Sequence, residues 1–76
     1  MIINDKIEIN DNVCGGKPTI RGMRITVQTI LELLSAGNKP EEILAAYPML
    51  ESEDITASLS FASQLMSRQF QIKPVA

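Results

Sequence analysis

The stretch Thr26–Pro48, TVQTILELLSAGNKPEEILAAYP, carries two helix signatures end to end. Thr26 is a good N-cap, and after it Val27, Ile30, Leu31 and Leu34 recur at i, i+3, i+4 and i+7, with Gln28, Glu32 and Ser35 on the opposite side. Gly37 then offers a left-handed stop. Asn38-Lys39-Pro40-Glu41-Glu42 places a proline at the first helical position and two carboxylates in the first turn, where the helix dipole favours them. Ile43, Leu44 and Tyr47 make the apolar edge of this second helix, and Pro48 ends it by excluding the preceding residue from helical geometry. A helix this short is marginal in water, so it must be held by packing.

Downstream, Ser52 is a candidate cap for a third helix whose first turn holds Glu53 and Asp54, both read as complements to the dipole. Ile55, Leu59, Ala62 and Met66 line one face, widened by Ala57, Phe61 and Leu65, while Thr56, Ser60, Ser63 and Ser67 form a hydroxyl stripe. The helix is expected to fray beyond Ser67. Three helices joined by short links can bury one shared core, and a short second helix followed by a longer third has the outline of a helix-turn-helix. A plain three-helix bundle gives the same periodicities.

The residues before Thr26 follow a different rule. Ile7 and Ile9 alternate with Lys6, Glu8 and Asn10, a period of two that predicts a short, half-exposed strand. Thr19-Ile20 and Arg24-Ile25-Thr26 favour β structure on either side of Arg21-Gly22-Met23, where Gly22 is free to take a positive φ. Strands this short do not stand alone, so the ribbon must lie on the helices or pair with the ribbon of a second chain; a homodimer through it is the expectation. The reading is a mainly α domain over residues 1–68, with a β arm at 1–26, three helices across 27–67 and a flexible tail at 69–76.

A chain of 76 residues is one domain at most and buries about 60 % of its unfolded surface, too little for a deep catalytic cleft. Apolar residues at 45 % and charged ones at 21 % are the balance of a folding chain. Cys14 is alone and there is no histidine, which excludes a disulfide framework, a four-ligand zinc site and the usual base for a serine or cysteine nucleophile. Gly16-Lys17 fails as a phosphate loop, because Asp11 stands where the first glycine belongs and Pro18 where a hydroxyl belongs. No enzyme, cofactor or metal is called for. No apolar run approaches the roughly 18 residues of a membrane span and no secretion leader is legible, so a cytoplasmic protein without a membrane partner is expected.

Charge is segregated. Residues 1–26 carry Lys6, Lys17, Arg21 and Arg24 against three acids, whereas residues 27–66 carry Lys39 against six. Lys17, Arg21 and Arg24 are therefore the candidate phosphate contacts for duplex DNA, with Lys39 in the turn between helices one and two adding a backbone contact. Thr56, Ser60 and Ser63 on helix three are candidates to approach base edges, although hydroxyls discriminate bases poorly and Glu53 and Asp54 would repel a backbone there. Arg68, Phe70 and Ile72 at the start of the tail are candidate anchors for a protein partner.

Gly16-Lys17-Pro18, Ile20, Gly22, Arg24-Ile25, Val27, Ile30-Leu31, Gly37, Glu41-Glu42-Ile43-Leu44, Tyr47-Pro48, Leu50, Glu53-Asp54-Ile55 and Ala57 together resemble the domain-of-unknown-function 433 family of bacterial proteins, from Ile7 to about Ala62. Two positions depart from its pattern: Met23 replaces the usual threonine, and Glu51 stands where a serine or threonine commonly caps helix three, so either Ser52 takes over or the cap is lost. The resemblance implies a homeodomain-like helix-turn-helix fold and an antitoxin of Vap type, encoded beside a PIN-like ribonuclease toxin. Such a protein would regulate its own promoter and neutralise the toxin. Arg21 or Arg24, with a planar fork suited to carboxylates, is a candidate for insertion among the acids of a nuclease site. The alternative is a protein–protein interaction module that does not touch DNA.

Overall fold

The computed structural model describes residues 5–69, with side chains through Ser67. The chain forms β1 (Ile7–Glu8), a single left-handed turn at Cys14–Gly16, β2 (Thr19–Ile20), α1 (Val27–Ser35), α2 (Pro40–Ala46) and α3 (Ser52–Gln69). It is a mainly α fold of three helices with a short antiparallel hairpin in front.

The termini of α1 follow their residues. Thr26 takes extended geometry and its Oγ1 accepts the Thr29 N–H at 3.0 Å. At the other end the Gly37 N–H donates to Leu34 and the Asn38 N–H to Leu33, with Gly37 at φ +97°, the paired closure that terminates a helix on a left-handed residue. In α2, Pro40 opens the helix and the Glu42 carboxylate accepts the Lys39 N–H at 2.7 Å.

In the arm, β1 pairs antiparallel with β2 in the register Ile7 with Ile20 and Glu8 with Thr19. Thr19 bridges on its other side to Thr26, and the Ile20 N–H donates to the Ile25 carbonyl, so β2 is bonded on both edges and is closed to strand pairing with another chain. Between Ile20 and Met23 the chain reverses through Arg21 at φ +30° and Gly22 at φ +71°, positive at both central residues as in the mirror-image turns that suit hairpins. The ribbon lies on the helices: Ile7 and Ile20 are buried with Val27, Ile30, Ile43, Leu50, Ile55 and Phe61 in one core.

Helix α3 is rotated from its expected orientation. Asp54, Ile55, Ser58 and Phe61 face inward, whereas Leu59 is 50 % exposed and Met66 60 %. The reason is polar. Asp54 has a partner on the arm, described below, and Ser58 Oγ donates to the Asp54 carbonyl at 2.9 Å, so both polar side chains are buried with their hydrogen bonds made. The expected cap is also corrected. Ser52 is the first helical residue and its hydroxyl donates to Glu53 Oε1, while the start of α3 is closed from within by Asp54, whose Oδ2 accepts the Glu51 N–H at 2.8 Å. That is half of a capping box made without a capping hydroxyl. The helix continues through Gln69, past the expected fraying point, as no proline interrupts it before Pro74.

Candidate functional site

The central feature of the surface is where the arm meets α3. The left-handed turn at Arg21-Gly22 carries the Arg21 side chain onto the first turn of α3, where Nε donates to Asp54 Oδ1 at 2.9 Å and Nη2 to Oδ2 at 2.8 Å. This is a two-pronged guanidinium–carboxylate pair. The carboxylate is fully buried and the arginine side chain 31 % exposed. Arg21 hydrogen bonding, helped by the Glu51 N–H, holds the Asp54 carboxyl below its ordinary value against the opposing effect of burial, and Asp54 in turn raises the Arg21 guanidinium. A second, exposed pair joins Lys6 Nζ to Glu51 Oε1 at 3.4 Å. Glu53 is lowered by its own backbone N–H and by the Ser52 hydroxyl.

Arg21 is therefore removed from the set of free cations proposed for phosphate contact: its charge is matched inside the fold. Sequence reasoning placed Asp54 on the dipole because nothing in a helical pattern signals a partner 33 residues away. The available signal was the arginine beside a glycine able to turn left-handed, together with an acid in the first turn of α3. Lys17 and Arg24 remain exposed and form no ion pair among the described residues. Their main chains are both tied to Cys14, whose carbonyl accepts the Lys17 N–H and whose thiol donates to the Arg24 carbonyl at 3.4 Å. Lys39 is exposed at the start of α2.

Thr56, Ser60 and Ser63 are exposed on α3, as expected. Thr56 and Ser60 line a shallow depression with Asp5, Lys6, Ser52, Glu53 and Ala57. Two carboxylates against one ammonium make a poor seat for phosphate. Arg68 falls in the last turn of α3, its side chain outside the described residues, and Phe70 and Ile72 lie outside them entirely. Among the described residues no group of three or more acidic, cysteine or histidine side chains could hold a metal, and no helix is long and apolar enough to cross a membrane.

A second concavity, of about 170 Å³, was not foreseen. Pro18 of the arm, Val27, Gln28 and Leu31 of α1 and Phe61, Ala62 and Leu65 of α3 line it. It holds no charged group. Leu59 and Met66, both exposed, lie on the same helix, Met66 within one turn of Ala62 and Leu65. The inward rotation of Asp54 and Ser58 explains why so much apolar surface of α3 faces out.

Residues 7–62 match the family described as protein of unknown function (DUF433). The chain belongs to the DUF433 family. A DUF433 member from Anabaena variabilis, known from a crystal structure, superposes with a TM-score of 0.79 at 35 % identity over 87 % of this chain and 65 % of the other. The uncharacterized protein y4eO of Sinorhizobium fredii is 33 % identical over 51 residues, 67 % of this chain and 23 % of its own length. This chain thus spans less than two thirds of the length of either relative.

Proposed function

We propose that this DUF433 chain is an antitoxin-like regulatory module, not an enzyme, whose first contact is with a protein, and that the groove between α1 and α3 receives it. The observation that carries the reading is the groove's lining: six apolar residues, one amide and no charge. Such a surface complements an apolar ridge, as on one face of an amphipathic helix, and not a phosphate backbone. The family resemblance supplies the partner class, a PIN-like ribonuclease toxin acting in the cytoplasm. Arg24, exposed and without an acidic partner among the described residues, replaces Arg21 as the cation available to a carboxylate-rich nuclease site.

The test is a calorimetric titration of the protein with the product of the neighbouring gene. Wild type should bind, and Ala62→Glu, which places a charge in the groove, should weaken binding by about a hundredfold, roughly 2.8 kcal/mol, with unchanged helical circular dichroism. Equal affinities for the two proteins would remove the groove from the interface.

The second reading is duplex DNA binding, supported by Lys17 and Arg24, both exposed and without an ion pair among the described residues. Retardation of the protein's own upstream DNA at moderate salt, abolished by Lys17→Ala with Arg24→Ala and unaffected by Ala62→Glu, would make this the leading function.

A further inference from the structure

The arm and the helical body are joined at a point where one side chain performs two tasks. Asp54 Oδ1 and Oδ2 accept from the Arg21 guanidinium at the tip of the arm, and Oδ2 also accepts the Glu51 N–H that closes the start of α3. The Asp54 N–H meanwhile donates to the Glu51 carbonyl. Arg21 is held at φ +30°, a region that non-glycine residues avoid, and its main chain is tied to the arm through donation to the Lys6 carbonyl. The strained turn and the helix start thus depend on the same carboxylate.

We infer that Asp54 is a latch: a single buried carboxylate fastens the tip of the arm to the first turn of α3, so that loss of its charge or of its arginine frees both segments in one step. A carboxylate with no exposure to water is stable there only while its charge is compensated. Without Arg21 the buried charge is uncompensated, and each excursion toward solvent that relieves it takes away the acceptor for the Glu51 N–H. The start of α3 then frays although nothing in α3 has changed. In the other direction, whatever neutralises Asp54 releases Arg21 from a backbone geometry it would not otherwise hold. The charged groups facing the latch are Arg21 and Lys6 from the arm, Glu51 from the link before α3 and Glu53 from α3 itself. Lys6 adds to the attraction while the two glutamates oppose further negative charge.

The consequence reaches the candidate surfaces. Arg24 stands three residues beyond Arg21 in the arm, and Thr56 and Ser60 stand within about two turns of Asp54 on α3. They keep a fixed relation only while the latch is closed, so a ligand that engages one of these surfaces and displaces Arg21 is felt at the other.

Native-state hydrogen exchange on the full chain tests the coupling. In Arg21→Gln, where no residue of α3 is altered, exchange at the Glu51 and Asp54 amides should accelerate about tenfold or more, together with the Met23 amide at the tip. Acceleration at the tip alone would overturn the latch. Wild type provides a second measurement that needs no variant: in an acid titration followed by nuclear magnetic resonance, the Arg21 Nε–H, the Glu51 amide and the Met23 amide should report one shared midpoint with the Asp54 carboxyl. Separate midpoints would show two independent contacts.

Discussion

Arg21 grips Asp54 with two nitrogens, at 2.9 and 2.8 Å, from a backbone conformation with φ +30° that few arginines adopt. An interaction that requires strain on one side and complete burial on the other belongs to the fold before it belongs to any ligand. The DUF433 arm is thereby part of the helical body and not an appendage to it.

Breaking this pair should be asymmetric. Asp54→Ala returns a partly exposed arginine to water and forfeits the acceptor for the Glu51 N–H, with an expected loss of about 3 kcal/mol. Arg21→Met leaves a buried carboxylate uncompensated and should destabilise more at neutral pH, although its side chain is the more exposed of the two. Urea unfolding of both variants and of the double variant gives the coupling directly. A double-mutant cycle with no interaction energy would mean the pair is ornamental.

The pH dependence follows from the direction of the Asp54 shift. Because the folded carboxyl lies below its unfolded value, the pair's contribution is complete above the unfolded pKa, near 3.9, and is lost as pH falls through the lower folded value. In Arg21→Met the largest of the lowering causes is gone and burial is opposed only by the Glu51 N–H and Lys6, so the folded carboxyl moves up from its wild-type position and the stabilisation it supplies at neutral pH shrinks. The stability difference between the two proteins should therefore be widest near pH 7 and narrow as pH drops below about 4. Thermal melts across that range check it, and a gap that widens in acid would reverse the assignment of Asp54.

The helices, their order, the left-handed stop at Gly37 and the hairpin turn at Gly22 were legible because each is a local rule acting within a few residues. The inward face of α3 was not. A hydrophobic count along Ser52–Gln69 selects Leu59 and Met66, and it cannot know that Asp54 and Ser58 will be buried because one is paired and the other bonds its own helix. The same blindness missed the partner of Arg21, which lies 33 residues away. The exposure of Leu59 and Met66 is the other side of that rotation, since inward positions are taken by polar groups.

Core substitutions should separate the two faces of α3. Phe61→Ala and Ile30→Ala remove side chains that are 7 % and 0 % exposed and should cost about 3 to 5 kcal/mol and 2 to 5 kcal/mol respectively. Leu59→Ala, at 50 % exposure, should cost less than about 1 kcal/mol. Denaturant midpoints distinguish these outcomes, and a large loss at Leu59 would mean that α3 packs the other way round.

Gly37 is held at φ +97° with nothing within 4 Å of where a Cβ would stand. Gly37→Ala therefore tests conformation without a steric term, and should lower stability by about 1 kcal/mol through the left-handed penalty at the end of α1. Crowding can be set aside as a cause if the Asn variant, which tolerates this region better, recovers part of the loss.

Salt dependence of any duplex binding offers a reading of which cations are free. Each phosphate neutralised by a lysine or arginine contributes about 0.9 to the slope of log affinity against log salt. Lys17 and Arg24 are exposed without an ion pair among the described residues, so replacing both with alanine should reduce the slope by about 2. Lys39→Ala should remove about one further unit if the turn before α2 reaches the backbone. Arg21→Gln is the discriminating variant: its charge is already matched by Asp54, so the slope should stay unchanged even where overall stability falls. A slope reduced by one full unit in Arg21→Gln would mean that DNA draws the guanidinium away from Asp54, and the latch would then be opened by the nucleic acid itself.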